Sequence, residues 1–116
     1  MMKILALALV AASSSAVAAT PTLSPREATI RDASSGGIRD WHADDERSIY
    51  LRDRTGRWYQ AFFQGPCPGV QHSPSIGIKT DLLGQFDQFS AIETYLGLCS
   101  VGSVVRSAKP LAIGNR

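Results

Sequence analysis

Arg47-Ser48-Ile49-Tyr50-Leu51-Arg52-Asp53, then Arg54-Thr55-Gly56, then Arg57-Trp58-Tyr59-Gln60-Ala61-Phe62-Phe63 is the stretch that decides the fold. Two runs rich in aromatic and aliphatic side chains flank three turn-forming residues. Asp53 at the first turn position and Gly56 at the fourth predict a type I turn followed by a left-handed glycine, the three-residue hairpin with a bulge. That turn sets a register in which Asp53 faces Arg57, Leu51 faces Tyr59, Ile49 faces Ala61 and Arg47 faces Phe63. Because side chains alternate along a strand, these positions share one side, the better core face. Ser48, Tyr50 and Arg52 share the other side with Phe62, Gln60 and Trp58. Arg52 then lies across from Trp58, where cation–π stacking is allowed.

Outward from the hairpin, the pattern stays that of short strands broken by Gly and Pro. Gly65-Pro66-Cys67-Pro68-Gly69 forbids regular structure and predicts a tight turn. Ile76-Gly77-Ile78-Lys79-Thr80 has apolar residues two apart and reads as a strand, followed by a loop around Leu82-Leu83-Gly84. The run from Phe86 to Ile92 fits either a helical turn or a bend into a strand starting near Ser90. Leu98-Cys99-Ser100-Val101 and Val104-Val105 read as β structure around Gly102. Upstream, residues 20–37 hold two prolines, Ser34-Ser35 and Gly36-Gly37, and predict an extended arm with a short edge strand around Ala28 to Arg31. The expected fold is all-β: one antiparallel sheet curled into a barrel or sandwich over residues 38–106, with a flexible tail at 107–116.

The chain has 116 residues, 44% of them apolar, but the apolar content is uneven. Residues 1–18 hold 14 of the 51 apolar residues. Lys3, the unbroken apolar run from Ile4 to Ala12 and the small residues of Ala16-Val17-Ala18-Ala19 read as a secretory signal peptide, with cleavage after Ala18 or Ala19. No later segment is long and apolar enough for a membrane span. Periplasmic or secreted placement follows as an expectation. In an oxidising compartment, two cysteines in a small domain read most simply as one disulfide, Cys67 to Cys99. Loss of Lys3 lowers the formal charge from +2 to +1, which gives no electrostatic case for nucleic acid. Arg39 with Asp40, Asp44-Asp45-Glu46 with Arg47, and Arg52-Asp53-Arg54 with Arg57 mix signs locally and read as a solvated surface.

Little here points to catalysis. His42-Ala43-Asp44-Asp45-Glu46, with His72, offers metal-ligating atoms, but a turn cannot aim three consecutive acids at one ion, so a solvated turn is the stronger reading. Asp87, between Phe86 and Phe89, is the one carboxylate in an apolar setting. Its expected role is to accept backbone N–H bonds at a turn near Ser90. No serine stands in a nucleophile elbow and no glycine-rich phosphate loop is present. No cofactor or metal is expected. The aromatic set carries more promise: Trp41, Tyr50, Trp58 and Phe62, with Arg39 and Arg52, are the residue types that dominate recognition surfaces.

Gly37-Ile38-Arg39-Asp40-Trp41, Ile49-Tyr50-Leu51 with Asp53, Trp58-Tyr59, Pro66-Cys67, Ile76-Gly77, the run from Phe86 to Ile92 and the late Cys99 together resemble a family of small exported proteobacterial proteins, sphingomonads among them, that carry a domain of unknown function. The resemblance covers roughly residues 27–107 and departs at His72, a position more often apolar or aromatic in that family. It implies an exported all-β domain and no particular chemistry. The expected function is a non-enzymatic binding or structural module that uses an aromatic and arginine face, with Arg39, Trp41, Tyr50, Arg52 and Trp58 as its binding residues and an envelope protein, peptide or glycan as its partner. The alternative is a small envelope enzyme or enzyme inhibitor.

Overall fold

The structure is a computed structural model that describes residues 26–111. The proposed signal segment, residues 20–25 of the arm and residues 112–116 of the tail lie outside the described residues. Asp53 builds the turn from which the sheet grows. Its Oδ1 accepts the backbone N–H groups of Thr55 at 2.9 Å and Arg57 at 3.0 Å and the Thr55 hydroxyl at 2.6 Å, while Oδ2 accepts the Tyr59 hydroxyl at 3.2 Å. Gly56 closes the turn at φ +93°, in the left-handed region that a Cβ disfavours. The strands that flank it, β2 (Ser48–Asp53) and β3 (Trp58–Phe63), pair in the expected register: Leu51 with Tyr59, Ile49 with Ala61, Arg52 with Trp58.

Burial raises the Asp53 carboxyl, but the hydrogen bonds from Thr55, Arg57 and Tyr59 outweigh it and hold the group below its ordinary value of 3.8. The folded pKa is thus the depressed one. The stability it contributes is present above about pH 4 and is lost as the pH falls through the folded value. Asp53→Asn is expected to cost about 1–2 kcal/mol at neutral pH, from weakened charge-assisted turn bonds, and to flatten the acid limb of stability against pH. Urea unfolding of both proteins between pH 2 and pH 7 measures this. Parallel curves for the two proteins would show that the carboxylate does not hold the turn.

Four more strands complete the sheet: β1 (Ile38–His42), β4 (Gly77–Lys79), β5 (Ala91–Thr94) and β6 (Gly97–Ser107). Their order is β1-β2-β3-β6-β5-β4, and every neighbouring pair is antiparallel. The long β6 joins the two halves. Its first four residues pair with β5, and from Val101 onward it pairs with β3. The register shifts at Phe62/Phe63, opposite Gly102, and such a bulge bends the strand and increases twist. The sheet therefore curls into a half-barrel. The ambiguous run from Phe86 to Ile92 resolves as a bend into β5: Asp87 Oδ1 accepts the Phe89 N–H, and the Ser90 hydroxyl accepts the Asp87 N–H. A helical turn loses because these two short side chains satisfy the local backbone instead.

The inner face carries the core: Ile49, Leu51, Tyr59 and Ala61 from the hairpin, Val101 and Val104 from β6, and Ile92 from β5. Two further contributions come from outside the regular strands. Ile30 and Phe86 exchange backbone hydrogen bonds of 2.8 and 2.9 Å and are both fully buried. Just upstream, the Ala28 N–H reaches the Val104 carbonyl, and the Glu27 carboxylate accepts the Val104 N–H at 3.0 Å and the Ser103 hydroxyl at 2.6 Å. The arm thus takes over the edge of β6 where β5 ends. It covers an otherwise unpaired edge and delivers Ile30 to the core.

Cys67 and Cys99 form a disulfide with Cα atoms 5.6 Å apart. It ties the loop after β3 to β6. Cys67 is fully buried, and its N–H donates to the Glu46 carbonyl at 2.8 Å. Ser73 reinforces the same loop, since its hydroxyl donates to the Gly69 carbonyl and accepts the Tyr95 N–H.

Candidate functional site

The alternation that builds the core also decides which aromatics can act together. Tyr50, Arg52 and Trp58 lie on the outer face, and β1 adds Asp40 beside Arg52 and His42 beside Tyr50. His42 stacks on Tyr50 with ring centroids 6.4 Å apart. Trp41 does not join them. It pairs with inner-face Leu51 in the regular part of β1 and packs against the core from the inner face. Arg39 falls within that irregularity and is exposed. Phe62 is on the outer face, at its far end, and is part-exposed.

Trp58 and Arg52 line an open groove of about 490 Å³ with Asp40, Gly56 and Lys109. Most of the indole is covered, with 7% of the residue exposed, so Trp58 is a wall of the groove rather than a platform. Arg52 is half-buried, and among the described residues no ion pair or side-chain hydrogen bond holds its guanidinium. Stacking of Arg52 on Trp58 is not formed. The cation–π pair of this half of the molecule is on the inner side, where Arg106 lies 5.7 Å from the Tyr59 ring centroid. One Asp40 oxygen accepts the Trp41 N–H at 2.8 Å, which orients the carboxylate along β1. The groove thus sets one covered indole between a carboxylate and two cationic side chains. It can hold a polar ligand that also offers an apolar face.

The other candidates have local roles. Asp44 pairs with His42, and Asp45 accepts the Arg47 N–H at 2.8 Å, so the acidic run organises the turn into β2. Among the described residues, no three His, Cys, Asp or Glu side chains gather into a group able to hold a metal ion. Asp87 caps its bend, and His72 is exposed within the loop that the disulfide closes. A second groove, of about 520 Å³, lies at the other end of the outer face between Arg47, Gln60, Phe62 and Gln64. Sequence reasoning passed over Asp40 and Lys109. Asp40 was visible as the cross-strand neighbour of Arg52 once β1 was paired, whereas Lys109 lies beyond the last strand and nothing in its spacing marks it.

The fold and its grooves define a small, disulfide-stapled antiparallel half-barrel with concave surfaces on either side of one hairpin turn. The family of unknown function DUF6491 matches residues 1–106, and the chain belongs to it. Neither a curated protein nor a solved structure matches the chain.

Proposed function

We propose that this protein is an exported binding module, periplasmic or secreted, that recognises an envelope glycan or peptide through the outer face of β1, β2 and β3. The observation that carries the reading is the groove in which Arg52, with no partner among the described residues, stands beside the indole of Trp58 and the carboxylate of Asp40. A half-buried guanidinium that forms no ion pair with its neighbouring carboxylate is poised to pair with one from a ligand, and its planar fork suits bidentate pairing. The indole edge adds apolar contact at low entropic cost. Sugar hydroxyls and peptide carboxylates together match this mixture of donors, acceptors and one aromatic wall. Export rests on residues 1–19, whose charge, apolar run and small residues suit a signal peptidase. Neither groove of the outer face is lined by Asp87 or His42, so the enzyme alternative gains no support from them.

Soluble muropeptides, which carry both sugars and free carboxylates, are the probe. Saturable binding is expected, and Arg52→Ala is expected to weaken it about tenfold, the equivalent of ~1.4 kcal/mol. Isothermal titration of both proteins decides it. No saturable binding, or equal affinity for the variant, would overturn the proposed face.

A further inference from the structure

On the inner side of the same turn lies a second concave surface, independent of the outer groove. It occupies about 420 Å³ where the arm meets the hairpin. Arg31 comes from the arm, just after the Ile30–Phe86 bridge, while Arg54 and Arg57 come from the β2–β3 turn, and Tyr59 forms the inner wall. Arg106 approaches the Tyr59 ring from β6. Four arginines from three chain segments therefore converge on one end of the half-barrel. Among the described residues none of the four is in an ion pair with a carboxylate. Arg54 makes only a long 3.4 Å bond to the Ser35 carbonyl.

Two carboxylates, Asp32 and Asp53, also line the cleft, so against Arg31, Arg54 and Arg57 its formal balance is +1, and Arg106 beside the Tyr59 ring adds one more positive charge. Asp53 has its oxygens occupied by Thr55, Arg57 N–H and the Tyr59 hydroxyl. Asp32 lies in the wall, with its backbone at φ +55°, the one non-glycine positive φ among the described residues. Its carbonyl accepts the Gly37 N–H at 2.7 Å, and a Cβ at Gly37 would stand 2.5 Å from the Arg31 and Asp32 carbonyl oxygens. Gly37 therefore permits its backbone to approach the Arg31 and Asp32 carbonyls closely and winds that segment tightly before β1. A strained, closely wound wall is a feature that clusters at binding sites.

The charge distribution of the whole domain points the same way. Residues 26–111 contain ten Lys or Arg and ten Asp or Glu, formally neutral in sum. The balance nevertheless differs along β2: Asp44, Asp45, Glu46 and Arg47 before it sum to −2, while Arg52, Asp53, Arg54 and Arg57 at its far end sum to +2, roughly 20 Å away for a six-residue strand. Such a separation guides an anion toward the arginine end even when net charge is near zero.

We propose that this cleft is an anion site for a phosphate group, free or carried on a lipid headgroup, held by Arg31, Arg54 and Arg57, with Arg106 adding positive charge from beside the Tyr59 ring. The guanidinium fork matches the spacing of phosphate oxygens, and three forks, one from the arm and two from the β2–β3 turn, allow bidentate contacts from more than one direction. Tyr59 supplies a floor whose ring already orients Arg106.

The test is a titration of 15N-labelled protein with inorganic phosphate at constant ionic strength, followed by glycerol phosphate and then by phosphatidylcholine vesicles with and without phosphatidic acid. Saturable shifts are expected at the Gly37, Thr55 and Arg57 amides and at the Arg54 and Arg57 side chains. The double variant Arg54→Gln/Arg57→Gln is expected to weaken binding at least tenfold with the indole signals of Trp41 and Trp58 unmoved, which shows that the fold survives. Arg47→Gln, at the other end of β2, is expected to leave binding intact. Tighter binding to phosphatidic acid vesicles than to glycerol phosphate identifies the headgroup as the source, and binding to the small phosphates alone identifies a free phosphate. Shifts that do not saturate, that spread equally to Arg39 and Arg47, or that persist in the folded double variant overturn the proposal.

Discussion

Replacing Cys67 and Cys99 together with alanine is expected to lower the unfolding free energy by about 3.5–4 kcal/mol, the chain-entropy value for freeing a 33-residue loop. In a domain of this size each kcal/mol moves the melting temperature by about 4–8 °C, so a fall of roughly 15–30 °C should be seen by calorimetry. The competing possibility is that hydrogen bonds hold the loop without the bridge. Ser73 to Gly69, Tyr95 to Ser73 and Thr94 to Pro68 are three such bonds. Each contributes about 1 kcal/mol net, and all depend on the loop already being in place. The bridge should therefore win. A fall of less than about 5 °C would show that the loop is held by its hydrogen bonds, and the same comparison with dithiothreitol separates loss of the bond from loss of cysteine packing.

The second large effect concerns the arm. Phe86→Ala is expected to cost about 3–5 kcal/mol and Ile30→Ala about 2–5 kcal/mol, because both side chains are fully buried and their removal leaves cavities. The two residues exchange backbone hydrogen bonds, so their side chains are close enough for the costs to be coupled. The double variant should lose measurably less than the sum of the singles, by at least about 0.5 kcal/mol in urea unfolding. Independent costs would mean that the arm and the bend before β5 stabilise the half-barrel separately. A cost under 1 kcal/mol for Ile30→Ala would remove the arm from the core altogether.

The hairpin was legible from sequence because its information is local. Asp53 and Gly56 specify the turn, and a period of two then assigns every side chain from Ser48 to Phe62 to its face. The role of Ile30 was not legible, because its partner Phe86 is 56 positions away and neither segment has strand periodicity. The β5–β6 hairpin was hidden for another reason. Its tip, Tyr95-Leu96, is apolar yet exposed, the reverse of a usual turn composition, and it is closed instead by the Thr94 hydroxyl, which accepts the Leu96 N–H. Trp41 and Trp58 look equivalent in a list of aromatics. Pairing of Trp41 with Leu51 and of Trp58 with Arg52 places them on opposite faces, and the first of these pairs depends on a β1 register that no residue in that strand announces.

The mixing of charge at the hairpin turn was legible in the sequence, but the use made of each charge was not. Arg52-Asp53-Arg54 with Arg57 looks like local mixing of signs, but Asp53 turns its carboxylate into the turn and spends it on four donors. Arg52 is left facing outward and Arg54 and Arg57 inward. Strand alternation divides the arginines between two concave surfaces, as the hairpin register already implies for Arg52 and Arg57.

The two tryptophans provide the most direct test of the recognition surface, since each indole N–H reports on one face of the sheet. In a 15N-labelled sample titrated with muropeptides, the Trp58 indole signal is predicted to move saturably, together with the Arg52 and Gly56 amides, while the Trp41 indole signal stays in place. Movement of Trp41 with Trp58 unmoved, or no saturable movement of either, would contradict the assignment of recognition to the outer face.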